Sequence, residues 1–189
     1  EQGAKLSILS YLLLTVLKLG AGIFFKSSAL VADGINNATD VISSVCVLIG
    51  LKISRKPADE DHLYGHFRAE LISTLIASVI MLYAGIEVVM YAIKKIISGT
   101  IEQPSILSAV VAFIASVIMI GVYFYNIRLA KKIGSKSLKA AALDNLSDAF
   151  VSIGTLVGII ATYIGIPIAD SVVAIIVGLL IIYTSVSIF

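Results

Sequence analysis

The chain has 189 residues, of which 59% are hydrophobic, and its mean hydropathy is +1.04. A soluble domain is closer to half apolar, so this composition indicates lipid rather than water as the main solvent. The formal net charge of +2 is too small to indicate a nucleic-acid partner. We therefore expect residues 1–189 to form a single all-α integral membrane domain.

Six apolar stretches are long enough to span a membrane, since about 20 helical residues cross about 30 Å of hydrocarbon. Short strands with alternating polarity are absent from the sequence, which favours helices over a barrel. The fifth and sixth stretches are separated by a short turn and should form an antiparallel hairpin. The predicted spans are Leu6–Phe25, Ala29–Ser54, Leu71–Ile97, Ile106–Leu129, Leu138–Ile164 and Ile166–Phe189.

Lys and Arg are concentrated on one predicted side of the membrane. Cytoplasmic loops carry an excess of these residues, and ten lie on the side of both termini against three opposite, so both termini are predicted to be cytoplasmic. Lys18 falls inside the first span. Basic residues at span ends can also contact anionic lipid headgroups. The ten are Lys5, Lys52, Arg55, Lys56, Arg68, Arg128, Lys131, Lys132, Lys136 and Lys139, and the three are Lys26, Lys94 and Lys95.

Four aspartates, Asp33, Asp40, Asp144 and Asp148, lie inside predicted spans. Each carboxylate costs about 3 kcal/mol or more in the membrane interior, so something must compensate for it. Asn36 and Asp40 are four residues apart, as are Asp144 and Asp148, so each pair lies on one helical face. Two helices therefore each present a pair of oxygen-bearing side chains.

The depths of these pairs in the membrane agree with each other. At about 1.5 Å per residue, Asn36 and Asp40 lie about 12 and 18 Å from one surface. Asp144 and Asp148 lie about 10 and 16 Å from the other surface. Asn36 should thus be level with Asp148, and Asp40 with Asp144, near the middle of the bilayer. The two segments also match without gaps, as expected for an internal repeat: Leu30-x-Ala32-x-x-x-Asn36-Asn37-x-Thr39-Asp40-x-x-x-Ser44 and Leu138-x-Ala140-x-x-x-Asp144-Asn145-x-Ser147-Asp148-x-x-x-Ser152.

Three carboxylates and one carboxamide in such a cage require a cation. An all-oxygen ligand set suits Mn²⁺, Mg²⁺ or Ca²⁺ better than Zn²⁺ or Cu⁺. Carboxylates in a low-dielectric site also bind protons more readily, so metal and protons should compete, as in a metal–proton antiporter. We expect no resident cofactor and no catalytic residues, because no nucleophile–base pair lies within the spans.

Neighbouring polar residues have other expected roles. Asp33 lies about one turn from Asn36, where it would line the exit from the site or be favoured by the helix dipole. Asp170 is expected to begin the last helix. Asn37 and Asn145, adjacent to ligand positions, are expected to support the ligands rather than bind the metal.

Three motifs carry a family resemblance: Ala32-Asp33-Gly34-x-Asn36-Asn37-x-Thr39-Asp40, Asp144-Asn145-x-x-Asp148, and the loop Pro57-x-Asp59-x-x-His62-x-Tyr64-Gly65-His66-x-Arg68-x-Glu70. They are similar to those of the transmembrane part of the cation diffusion facilitator family. This resemblance covers all six spans and implies a homodimeric antiporter that exports divalent metal ions in exchange for protons. We expect it in a bacterial plasma membrane. Zinc-transporting members usually have His at the position of Asn36 or Asp144, so the set here resembles the manganese-exporting branch.

The loop motif contains both histidines of the chain. The resemblance implies a second, weaker metal site at Asp59, His62 and His66, and the alternative is a solvated loop with helix-capping roles. Family members normally continue into a cytoplasmic ferredoxin-like domain that dimerises. The sequence given ends at Phe189, so we expect residues 1–189 to hold the transmembrane part without that domain.

Three alternatives to Mn²⁺ export remain open. The first is export of Zn²⁺, Fe²⁺ or Co²⁺ by the same machinery. The second is a proton-coupled exporter of organic cations, which would need an aromatic cavity, whereas the chain has no Trp and only 8% aromatic residues. The third is a membrane scaffold that senses metal through a structural site.

Overall fold

The computed structural model describes the backbone of residues 2–54, 57, 66, 68–99, 103–134 and 136–188. Every regular element within these residues is an α-helix. Each predicted span corresponds to one helix, and no predicted end differs by more than four residues. The helices are α1 (Gln2–Phe24), α2 (Ser28–Ser54), α3 (Ala69–Ile97), α4 (Ile106–Ile133), α5 (Lys136–Ile164) and α6 (Ala169–Ile188).

Five helices, α1 and α3 to α6, are long and apolar enough to cross a membrane. The chain is therefore an all-α, multi-pass membrane protein. The remaining helix, α2, is equally long at 27 residues but carries the polar motif, and it packs against α1, α3, α5 and α6. Four of its polar side chains are buried in the protein, namely Asp33, Asn36, Asn37 and Thr39. A count of six spans, and the cytoplasmic location of the termini, stay predictions.

The distribution of side chains is that of a membrane bundle. Large apolar residues such as Val16 and Phe24 are more than 70% exposed on its outside. In contrast, Lys18, Asp33 and Asn145 are completely buried. This arrangement is the reverse of a soluble protein, where charged residues are almost never fully buried, and it places the charged chemistry in the interior.

Helices α1 and α2 cross closely because of two glycines. A Cβ atom at Gly34 would lie 2.9 Å from the side chain of Leu19, and one at Gly22 would lie 2.7 Å from Val31. Small residues at such crossings let helix backbones approach each other. This approach brings Lys18 on α1 next to Asp33 on α2.

Asp170 fixes the start of α2. It lies in the first turn of α6, as predicted. Its carboxylate also accepts hydrogen bonds from Ser27 Oγ and Ser28 N, both at 2.6 Å, and from Ala29 N at 3.3 Å. These backbone donors are those that a helix N-terminus leaves without intrahelical partners. The capping carboxylate therefore comes from a different helix, which ties α2 to α6.

Candidate metal site

A cavity of about 680 Å³ lies at the end of the bundle where α1 and α5 begin and α6 ends. All four predicted ligands line it: Asn36, Asp40, Asp144 and Asp148. Asn36 and Asp148 are almost fully buried, at 5% and 7% exposure, whereas Asp144 is exposed. The site therefore reaches from the bundle interior toward an open mouth.

Asn36 and Asp148 are in direct contact. Asn36 Nδ2 donates a hydrogen bond of 3.0 Å to Asp148 Oδ1. These are two of the residues placed at the same depth from sequence, so that juxtaposition is confirmed. The assignment of all four residues as metal ligands stays a prediction.

The carboxylates are near one another without forming a tight cluster. Among the described residues, no three His, Cys, Asp or Glu side chains are grouped closely enough to hold a metal ion by themselves. Asp40 Oδ2 is buried and accepts no hydrogen bond from any residue that the structure describes. Buried acceptors normally have a partner. Asp40 therefore has an unsatisfied oxygen that a cation could engage.

Sequence reasoning missed the contribution of α1 to this site. Tyr11 Oη donates a hydrogen bond of 2.6 Å to Asp148 Oδ2, and it accepts one of 2.9 Å from Asn145 Nδ2. Asn145 Oδ1 in turn accepts from Ser7 Oγ at 3.1 Å and from Asn126 Nδ2 at 3.0 Å. Asn145 is thus linked to Asp148 through Tyr11, and its role in supporting a metal ligand stays a prediction. The available signal was the spacing of Ser7, Tyr11 and Lys18, which places three polar residues along one side of an apolar helix.

A second polar cluster surrounds Lys18. Its Nζ donates to Asp33 Oδ1 at 2.8 Å, to Asn37 Oδ1 at 2.6 Å and to Ser152 Oγ at 2.9 Å. Lys18 and Asp33 are both 0% exposed. The expected role of Asp33 as a first-turn carboxylate is wrong, because Asp33 lies beyond the first turn of α2, to which the effect of the helix dipole is confined. In this conformation Asp33 is sealed in the interior, and a place for it along an exit stays a prediction. It is the counter-ion of Lys18.

A further cavity of about 580 Å³ lies toward the opposite end of the bundle. Ala32, Val88 and Ala174 line it, and they belong to the same apolar cluster as Met81, which lines the cavity of the metal site. Packed apolar side chains therefore separate the two cavities. In this conformation the site is accessible from one end.

The predicted loop site cannot be compared in the same way. Asp59 and His62 lie outside the described residues, and His66 is described just before α3. A metal site at these three positions stays a prediction.

Comparison with known proteins identifies the family. Residues 4–189 match the family described as the cation efflux transmembrane domain. The chain belongs to the cation efflux family, which confirms the resemblance drawn from its motifs.

Three relatives illustrate the range of similarity. The manganese efflux system protein MneS of Bacillus subtilis (strain 168) is 53% identical over 189 residues, which is all of this chain and 65% of MneS. The magnetosome protein MamB of Paramagnetospirillum magneticum is 40% identical over 163 residues, 86% of this chain and 55% of MamB. The manganese efflux system protein MneP of Bacillus subtilis is 34% identical over 164 residues, 86% of this chain and 54% of MneP. The chain thus spans at most 65% of the length of these relatives.

Proposed function

We propose that this chain is the transport domain of a divalent metal exporter whose preferred cargo is Mn²⁺. Family membership supports export of cations, and two relatives are named for manganese efflux. The observation that carries the proposal is the contact between Asn36 and Asp148 in a cavity that Asp40 and Asp144 also line.

The donor types in this cavity favour a hard cation. The four proposed ligands offer carboxylate and carboxamide oxygens, and the described residues that line the cavity include neither His nor Cys. Mn²⁺ accepts such oxygen sets, whereas Zn²⁺ sites in proteins are usually tetrahedral with His or Cys ligands. Asp40 and Asp148 would bind the metal most deeply, and Asp144 would meet it nearer the mouth.

We further propose that protons move in the opposite direction to the metal. When Mn²⁺ leaves, three carboxyl groups remain in a cavity enclosed by an apolar bundle, where unpaired negative charge is costly. Proton binding would remove that cost and reset the site. We also propose that the protein is a homodimer and that the open cavity faces the cytoplasm. A second metal site at Asp59, His62 and His66 is part of the same proposal.

The test is metal flux into vesicles that contain the purified chain. We expect Mn²⁺ flux to exceed Zn²⁺, Fe²⁺ and Co²⁺ flux, and to respond to an imposed proton gradient. Replacement of Asp148 by Ala should abolish Mn²⁺ flux. Efficient Zn²⁺ flux without Mn²⁺ flux would contradict the proposed cargo, and flux that is insensitive to the proton gradient would contradict antiport.

The same assay separates the remaining alternatives. An organic-cation exporter would move a fluorescent lipophilic cation and ignore Mn²⁺. A metal-sensing scaffold would bind Mn²⁺ at equilibrium without moving it across the membrane. Either result would replace the proposed function.

A further inference from the structure

Tyr11 belongs to α1, which supplies none of the four proposed ligands, yet its hydroxyl contacts one of them. The ring is buried in an apolar cluster with Leu14, Ala115, Met119 and Ala149, and the residue is 9% exposed. Its side chain also lines the cavity of the metal site. Packing on α4 and α5 thus holds the ring, and its hydroxyl is presented at a fixed position.

The direction of the hydrogen bonds around Tyr11 is fixed by its neighbours. Asn145 Oδ1 accepts from Ser7 and Asn126, so Asn145 Nδ2 is the group that donates to Tyr11 Oη. Because the phenol oxygen already accepts one bond, its own hydrogen is free to point at Asp148 Oδ2, 2.6 Å away. Asn126 also donates to Ser7 Oγ at 2.8 Å. The chain of bonds therefore runs from α4 through α1 and α5 to the carboxylate.

Each carboxylate oxygen of Asp148 accepts one hydrogen bond. Asn36 donates to Oδ1 and Tyr11 donates to Oδ2, at 3.0 and 2.6 Å. An ionised carboxylate has about four lone-pair sites, so two hydrogen bonds leave room for a metal ion. Tyr11 can therefore keep its bond to Asp148 while the metal binds, and it need not act as a ligand.

We propose that Tyr11 is a positioning residue of the transport site, which sets Mn²⁺ affinity and selectivity by fixing the orientation of the Asp148 carboxylate. This inference rests on the proposed function. A fixed carboxylate preserves the wider spacing of ligands that a hard, six-coordinate ion uses. A carboxylate that is free to rotate can close into the four-coordinate arrangement that Zn²⁺ prefers.

The test compares Tyr11→Phe with the unmodified chain in vesicles and in detergent. Phe keeps the apolar packing and removes only the hydroxyl. Loss of a group that orients a metal ligand typically lowers affinity about 10- to 100-fold, so we expect the apparent KM for Mn²⁺ to rise at least about tenfold while the maximal rate changes less than about twofold. The preference for Mn²⁺ over Zn²⁺ should fall in parallel.

Equilibrium binding gives a second readout that does not depend on transport. The electron paramagnetic resonance signal of free Mn²⁺ gives the concentration of unbound metal and hence the dissociation constant. This dissociation constant should rise in Tyr11→Phe by the same factor as the apparent KM. Asn145→Ala, which frees the phenol from its second partner, should give a smaller change in the same direction. Tyr163→Phe is the matched control, because it removes a hydroxyl from an exposed tyrosine on α5, and it should behave like the unmodified chain.

Two results would overturn the inference. If Tyr11→Phe keeps the KM, the dissociation constant and the metal preference while Asp148→Ala abolishes binding, the proposed function survives and Tyr11 has no positioning role. If Asp148→Ala binds and moves Mn²⁺ normally, the proposed site fails, and the role of Tyr11 fails with it.

Discussion

The two aspartates of α2, Asp33 and Asp40, lie in regions that compensate for negative charge in opposite ways. Asp33 is sealed in the bundle, and its charge is neutralised by Lys18 at 2.8 Å from the same chain. Asp40 lies two turns further along α2 in an open cavity with Asp144 and Asp148, and no Lys or Arg is among the described residues that line this cavity. The chain thus carries a permanent internal cation in one place and leaves room for an external one in the other.

This difference indicates how a membrane protein separates structure from transport. Fully buried ion pairs with supporting hydrogen bonds hold helices in fixed positions, and breaking one leaves an uncompensated charge. A site for cargo needs the opposite property. Its negative charge must remain available, and it is neutralised only while the metal ion or protons are bound. We expect Lys18 and Asp33 to matter for stability and the open acids to matter for flux.

The largest expected effect is the loss of Lys18. Lys18→Met leaves Asp33 buried without its counter-ion, and we expect it to destabilise the chain by about 3–5 kcal/mol, as for other broken buried pairs. Thermal unfolding in detergent measures the change. Adding Asp33→Leu to this variant should restore much of the lost stability, and a single variant as stable as the original would show that the ion pair is not structural.

Asp40→Asn should affect metal flux and leave stability intact, the opposite of what we expect for Lys18→Met. Asp40→Asn removes one charge from the open cavity. Loss of a residue that only supports a metal ligand lowers affinity or activity about 10- to 100-fold, so we expect loss of a proposed ligand to lower Mn²⁺ flux by at least about a hundredfold. The unfolding temperature should stay the same or rise, because the removed carboxylate has an unsatisfied buried oxygen. A variant that unfolds readily but still transports Mn²⁺ would reverse the assigned roles of the two regions.

Asn36→His tests the selectivity of the open cavity. The imidazole adds a nitrogen ligand that suits Zn²⁺, so we expect the ratio of Zn²⁺ to Mn²⁺ flux to rise by about tenfold, equivalent to about 1.4 kcal/mol. Parallel flux measurements with the two metals give this ratio. An unchanged ratio would mean that Asn36 does not contact the cargo.

The smallest expected effect is that of Ser152→Ala. Ser152 Oγ accepts one of the three hydrogen bonds of Lys18. Its loss should lower stability by about 1 kcal/mol, typical of one hydrogen bond, and the KM for Mn²⁺ should stay within about twofold. A large change in KM would show that the Lys18 cluster and the metal site are coupled.

Much of the fold could be predicted from sequence because hydropathy determines which segments enter lipid. The rise per residue along a helix was also sufficient to place Asn36 opposite Asp148, and their side chains are in contact. Both inferences need only position along a helix axis.

The partners of Asp33 and Asp148 could not be predicted in this way. Their bonds to Lys18 and Tyr11 depend on how α1 is rotated against α2 and α5. That rotation follows from the close crossing at Gly22 and Gly34 and from packing on α4, which linear spacing does not specify. The position of Lys18 in the middle of the first span was the signal that a buried acid, Asp33, had a partner within the chain.

The most direct test of the contrast between the two regions is the position of bound Mn²⁺ itself. Crystals of the chain grown with Mn²⁺ would give anomalous difference density at each bound metal ion. We predict one peak in the cavity between Asn36, Asp40, Asp144 and Asp148, and none beside Lys18 and Asp33. Density beside Asp33, or a cavity that stays empty at saturating Mn²⁺, would contradict the assignment of the open acids as the cargo site.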